Sequence, residues 1–561
     1  MDFLRSVGRR LQGTLLASCW TDKFALQRRW LFFVFFYAVL ANVPLWAANH
    51  WLSLLPLGWF SLEYAGVGVL ALYAPRILTA GLLLLVVLAD VASAVSKTYY
   101  LSPMECLANV SSLREFSGKR LLSIAAVGLL TLLVASTAAF FPVSAMRGRF
   151  RQSAIACLLA FAALCISADC VRLMRERGHI PNPFKLGSVK DGRSLSAFNR
   201  RWMARYPMIR LVREEELFRR PGDTAASARG SFFPVRSATA VAIHLAGLDA
   251  GQRSREMPNV IIVLVESWGF DADQTVRDSL VQPYSGSDVR ARYSVVQGTV
   301  PFYGGTVAGE ARELCGNTFG FHLLYASTSE LHACLPDYLA AMGYRTVAMH
   351  GMDRNMFNRS QWYGRIGFQE QWFNDRFKPA GLPDCVGAFL GTCDAAIAGK
   401  IGNLLEEPDS EPKFVHWVTL NSHLPLPVPS PLAAPASCSP FSSLSRQPAL
   451  CSWYQLIFNV HEVVSRIALA GMARPTIFVI VGDHAPPFSD TASRSQFSSA
   501  EVPYVLLLPR VHSQNDTQIA GDTNFIPGTA VTARVASGAS NPACQIQYGD
   551  GITHSTPAVC P

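Results

Sequence analysis

Five short polar clusters carry the residue types that hold metal ions and move phosphoryl groups: Glu266-Ser267, Gly304-Gly305-Thr306, His350-Gly351, Asn421-Ser422-His423 and Gly482-Asp483-His484. Thr306 follows a glycine pair and precedes a run that can be helical from Val307. Its hydroxyl therefore falls at a helix N-terminus, where backbone amides favour a phosphate; a plain helix cap is the simpler role for a Thr there. Carboxylates and neutral imidazoles are good ligands for Mn, Mg or Zn. Glu266, Asp483 and His484 supply three, with Thr306 as a fourth. A Thr hydroxyl is a weak nucleophile, and no general base stands beside Thr306 in sequence. Coordination to a divalent ion is the available way to favour its alkoxide. Taken singly, each cluster has a plainer reading: a helix-starting Glu, a structural His, a Gly-Asp-His turn. Their order along the chain makes the chemical reading.

The elements that must position these clusters are strands. Apolar runs at Val260 to Val265, Thr346 to Met349, Phe414 to Leu420, Thr476 to Val481 and Val502 to Leu508 read as buried strands, separated by stretches long enough for helices. That pattern predicts an α/β domain over 255–561 with a mainly parallel sheet covered on both faces. Four of the clusters follow directly on four of these runs, and ligand-binding residues gather beyond the C-terminal ends of such strands.

The N-terminal part is of another kind. Half of the 561 residues are hydrophobic, concentrated between Trp30 and Leu173. Five transmembrane helices are expected within 30–172, near 30–48, 53–73, 77–95, 121–141 and 153–171. The second is interrupted by Pro56, Gly58 and Glu63. Residues 1–29 are basic and lack a small-residue cleavage site after a short apolar core, so they read as a retained cytoplasmic segment. With that end inside, the inner short segments hold ten Lys and Arg and the outer ones four, and five spans place everything after 172 outside. Residues 173–254 read as a basic connector, with the Arg-rich run Phe198 to Arg220 suited to lipid headgroups. The formal charge of +9 sits largely beside the membrane segments, which argues for lipid rather than nucleic acid as the partner.

Eight of the 13 cysteines lie after residue 300, in successive neighbours: Cys315 and Cys334, Cys385 and Cys393, Cys438 and Cys451, Cys544 and Cys560. Neighbour pairing is the simplest of the connectivities, and no C-x-x-C suggests zinc, so an oxidising compartment is the better reading.

The motifs N-V-I-I-V-L-V-E-S (259–267), G-G-T-V-A-G-E (304–310), H-G-M-D-R-N-M-F-N-R (350–359), N-S-H-L-P (421–425) and G-D-H (482–484) resemble the lipoteichoic acid synthase and phosphoglycerol transferase branch of the alkaline phosphatase superfamily. The resemblance implies Thr306 as nucleophile and Glu266, Thr306, Asp483 and His484 around one divalent ion, Mn before Mg or Zn. His350, Phe357, Arg359 and His423 would contact phosphate and headgroup. It also implies phosphatidylglycerol as donor and a phosphothreonine-type intermediate. This chain has Phe357 where the synthases carry Trp, which removes an indole N–H. The paired cysteines fit an inner-membrane enzyme of a Gram-negative envelope, with its catalytic domain in the periplasm, decorating a glycan rather than polymerising teichoic acid. The alternatives are a phosphoethanolamine transferase acting on a glycan or lipid A, a hydrolase, and a degenerate membrane scaffold or sensor. A sulfatase is disfavoured because neither C-x-P-x-R nor S-x-P-x-R occurs.

Overall fold

The computed structural model describes residues 28–55, 60–101, 113, 116, 118–140, 148–175, 237–246, 257–316, 331, 334–385, 387–408, 411–432, 434–510, 530–534 and 545–549. The chain divides into two compact units. One comprises 1–98 and 118–218, the other 99–117 and 219–561. The basic run Phe198 to Arg220 and the pair Cys544 and Cys560 lie outside the described residues.

In the first unit, α1 (Arg28–Trp51), α3 (Arg76–Tyr99), α4 (Gly118–Phe140) and the Phe150–Ala168 part of α5 (Arg149–Arg175) are long and apolar enough to cross a bilayer. At 1.5 Å per residue, a 24-residue helix reaches about 36 Å, more than the hydrocarbon core. The expected second span is not of this kind. Among the described residues of that stretch the helix is α2 (Leu62–Ala71), ten residues or about 15 Å. Pro56 and Gly58 precede it, and Pro75, which has no N–H to donate, lies just beyond its end. Among the described residues there are thus four candidate spans rather than five. α2 still packs tightly: a Cβ at Gly68 would stand 2.7 Å from Tyr37 Cγ, so only glycine lets that ring seat against the helix.

The second unit is built on a seven-stranded sheet: β1 (Asn259–Val265), β2 (Tyr293–Pro301), β3 (Arg345–His350), β4 (Glu370–Trp372), β5 (Lys413–Val418), β6 (Thr476–Gly482) and β7 (Glu501–Pro509), in the order β2-β7-β6-β1-β5-β3-β4. From β6 through β4 the strands are parallel, whereas β7 and β2 are antiparallel additions at one edge. Every residue of β1 is buried. Ile261, Val263 and Val265 pack into one apolar layer, and Val260, Ile262 and Leu264 into the other, as the two-residue period of a strand requires when both faces are covered. On the first face lies α9 (Pro448–Leu469), opened by a Pro at its first position and burying Leu450, Trp453, Ile457, Val460 and Val464 at helical spacing. On the second lies α7 (Thr306–Cys315), with α6 (Ala238–Leu245) packed against it; α6 falls in the stretch read as connector. β8 (Ala530–Arg534) and β9 (Gln545–Gly549) form a separate antiparallel pair.

Three of the expected disulfides are present: Cys315–Cys334, Cys385–Cys393 and Cys438–Cys451. The first ties the end of α7 to a residue 19 positions on. Closing a loop of that size contributes about 3 kcal/mol by restricting the unfolded chain. Replacing Cys315 and Cys334 together by Ser is expected to lower the denaturant midpoint accordingly; an unchanged midpoint would mean that the bridge does not form.

Candidate active site

Each polar cluster sits where a strand stops. β1 ends at Val265 and hands on Glu266; β6 ends at Gly482 and hands on Asp483 and His484. β1 and β6 are in parallel register, with Val265 opposite Gly482, so Glu266 and Asp483 are brought to the same edge by hydrogen bonding alone. Ser267 has φ 58°, a left-handed value that a non-glycine residue adopts only when its surroundings hold it. They do: its N–H donates to Asp483 Oδ1 at 2.8 Å, its hydroxyl donates to Glu266 Oε1 at 2.8 Å, and its carbonyl accepts from Trp453 Nε1 at 2.8 Å.

Candidate ligand atoms of Glu266, Asp483 and His484 lie within 4.8 Å of one another, all three residues buried. Their fit to a cation can be tested atom by atom. His484 donates its Nδ1 hydrogen to the Ala485 carbonyl at 2.9 Å, which fixes the tautomer and presents the Nε2 lone pair 3.3 Å from Asp483 Oδ2 and 3.5 Å from Glu266 Oε1. Asp483 Oδ1 accepts two backbone N–H bonds, from Ser267 and His484, while Oδ2 is buried with no hydrogen-bond partner. A buried carboxylate oxygen without a donor costs free energy unless a cation faces it. Burial and the neighbouring Glu266 push the Asp483 carboxyl up to about 7. Burial also penalises the Glu266 carboxylate, but His423, His484 and the Ser267 and Thr306 hydroxyls outweigh it and lower its pKa. The donor set, two oxygens and one imidazole nitrogen, suits a divalent ion.

Thr306 opens α7 behind Gly305, and its Oγ1 donates to Glu266 Oε2 at 2.9 Å. A carboxylate acceptor that is missing beside Thr306 in sequence is thus present in space, 40 residues away. α7 is drawn against the strand end by Gly309, where a Cβ would meet Asp483 Cβ at 3.0 Å. It is locked there by Arg312, which sequence reasoning did not single out. Buried Arg312 donates from Nη2 to the Gly482 carbonyl at 2.7 Å and from Nη1 to the Asp483 carbonyl at 3.3 Å, and pairs through Nε with Glu313 at 2.6 Å. Glu313 in turn accepts from Thr239 on α6.

The proposed headgroup residues come from three further strand ends and loops. His350 closes β3, and its Nδ1 hydrogen goes to the Val418 carbonyl at 3.0 Å. Burial and nearby Arg359 lower its pKa to about 3, so it is neutral and offers Nε2 as an acceptor, better matched to a hydroxyl than to a phosphate oxygen. Phe357 and Asn358 both have positive φ, 55° and 53°, in the turn that starts α8 (Arg359–Arg365). Arg359 is buried and does not reach outward with its fork. It pairs with Glu310 through Nε at 3.1 Å and Nη2 at 3.1 Å, and stands 5.2 Å from the Phe357 ring. Its Nη1 is buried without a hydrogen-bond partner. His423 is half-buried and donates from Nδ1 to the Leu424 carbonyl at 2.6 Å. Its loop is held by Asp394, whose carboxylate accepts the N–H groups of Leu420 and Asn421.

Glu310 is buried between Arg359, Tyr363 and His416. Burial raises its pKa, yet Arg359 and His416 more than offset that and bring it to about 2, against an ordinary 4.5. A carboxyl with a depressed pKa stabilises the fold above its unfolded value, and that stability fades as pH falls from about 4.5 toward about 2, by about 3 kcal/mol in all. Glu310→Gln should therefore be less stable than the parent at pH 7 and flatter between pH 5 and 3. Parallel acid limbs for the two proteins would count against the pairing.

Residues 258–533, just under half of the chain, match the family model described as Sulfatase. They form an alkaline-phosphatase-like domain of the sulfatase family. Among curated proteins none matches the sequence. Similar solved structures include the lipoteichoic acid synthase LtaP of Listeria monocytogenes, at 16% identity over 46% of this chain and 66% of that one, with TM-score 0.34. The Streptococcus pyogenes phosphoglycerol transferase GacH in complex with sn-glycerol-1-phosphate is 19% identical over 48% of this chain and 74% of that one, with TM-score 0.30. The soluble domain of lipooligosaccharide phosphoethanolamine transferase A from Neisseria meningitidis is 12% identical over 46% and 78%, with TM-score 0.27. The match spans just under two thirds of the Listeria chain. Likenesses of this size say nothing of the donor.

Proposed function

We propose that the protein is a membrane-anchored, metal-dependent phosphoglycerol transferase that takes the headgroup of phosphatidylglycerol onto Thr306 and passes it to an envelope glycan. The observation that carries this reading is the Thr306 hydroxyl at a helix N-terminus, 2.9 Å from Glu266, which shares a buried ligand cluster with Asp483 and His484. The donor is supported by the motif resemblance, and the extracytoplasmic, inner-membrane location by the apolar helices and the disulfides.

A divalent ion held by Glu266, Asp483 and His484, Mn by preference, would favour the ionised Thr306 hydroxyl and offset charge on the phosphodiester. Thr306 Oγ1 forms a bond to phosphorus as the bond to the diacylglycerol oxygen breaks. Glu266 Oε2, already the hydrogen-bond acceptor, holds the hydroxyl proton, and His423 protonates the departing oxygen. In the second half the acceptor hydroxyl gives its proton to His423 and displaces Thr306, which recovers its own from Glu266. His350 Nε2 accepts from a glycerol hydroxyl, and Arg359 Nη1 is the remaining donor for a phosphate oxygen.

With the full-length protein in mixed vesicles, diacylglycerol should form from phosphatidylglycerol, while phosphatidylethanolamine is a poor donor. Preferential consumption of phosphatidylethanolamine would replace this reading by the ethanolamine one.

A further inference from the structure

Residues 99–117 join two helices of the first unit, yet they group with the catalytic unit. Tyr99, the last residue of α3, stacks on the His423 imidazole with ring centroids 6.0 Å apart and an interplanar angle of 18°. His423 is also met edge-on by Phe389 at 4.6 Å, and Phe389 is stacked at 5.1 Å on Phe116, from the other end of the same segment. Tyr100 lies with its ring 5.4 Å from His484, between the Phe302 ring at 5.4 Å and the Arg494 guanidinium at 4.9 Å. Its φ of 57° is a left-handed value for an aromatic residue, held by those neighbours.

The same segment explains a glycine of the nucleophile turn. Gly305 has φ −76°, which any residue can adopt, so backbone freedom is not what requires it. Space is: a Cβ there would stand 3.1 Å from the Tyr99 carbonyl oxygen and 3.4 Å from Leu101 Cδ2.

We propose that Tyr99–Leu101 is a wall of the active site, in which Tyr99 positions His423 and Tyr100 positions the metal-ligating His484. The inference rests on the reading of Thr306 and its neighbours as the reaction centre, but not on the identity of the donor. Loss of a group that orients a ligand or a catalytic imidazole costs 10- to 100-fold in affinity or activity.

The test uses the full-length protein in phosphatidylglycerol vesicles. Tyr99→Ala should lower kcat by about tenfold or more with metal content unchanged, and Tyr99→Phe, which keeps the ring, should recover most of it. Tyr100→Ala should weaken binding of Mn alone by about tenfold or more, read by metal titration without substrate, again restored by Phe. A benzoylphenylalanine placed at position 99 should photocrosslink to the peptide containing His423. Wild-type kinetics and metal affinity in both Ala variants, or a crosslink confined to the membrane helices, would overturn the proposal. Thr306→Ala serves as the separate control: if it leaves transfer intact, the reading of the reaction centre fails, whereas the crosslink and the metal titration still decide on the wall.

Discussion

Thr306→Ala is expected to abolish transfer, by at least about a thousandfold in kcat, while the protein remains folded. The scale follows from what removal of a nucleophile costs in hydrolases built on the same principle, where binding and electrostatics alone leave only a small residual rate. The stability cost is small because Thr306 makes no capping bond to the backbone; its hydroxyl donates to Glu266. What the variant leaves behind is one buried acceptor oxygen, about 1–3 kcal/mol at most. Thermal unfolding close to wild type together with lost turnover is the expected result, and appreciable turnover would remove Thr306 as the nucleophile.

The second large effect concerns the ion. Asp483→Asn keeps the shape but replaces one carboxylate oxygen by an NH2 group that donates instead of accepting. Oδ1 is committed to the N–H groups of Ser267 and His484, so the amide nitrogen would be turned toward His484 Nε2 and Glu266. His484→Ala removes the imidazole nitrogen outright. Metal content measured after dialysis should fall in both, and activity with it. Stoichiometric metal in both variants would show that the ion is held elsewhere.

Much of this site could be read from sequence because each cluster directly follows an uninterrupted apolar run. A strand buried on both faces is written in consecutive residues, and the ligand comes next in the chain, as with Val265 and Glu266 or Gly482 and Asp483. β2 and β4 were not legible. β2 mixes Ser294, Gln297, Gly298 and Thr299 among its valines and lies at the sheet edge, and β4 is only three residues long. The second span differs in length among the described residues for the opposite reason, since apolar content along 53–73 says nothing of whether one helix can run through it. Non-local pairing escaped altogether. Arg359 carries the fork expected of a phosphate ligand, but Glu310, 49 positions earlier, takes two of its nitrogens. Arg312 sits in a helix with nothing local to mark it as the clamp on the Asp483 carbonyl. Tyr99 and Tyr100 lie past the expected third span near 77–95 with nothing local to mark them, and only the fold brings them to His423 and His484.

The central claim is a covalent headgroup on one hydroxyl. The full-length protein, incubated with phosphatidylglycerol vesicles in the absence of acceptor and quenched in acid, should yield a peptide containing Thr306 whose mass is raised by one phosphoglycerol group, with fragmentation placing it on that residue. No adduct on a protein that is turning over donor, or an adduct on another residue, would contradict the account.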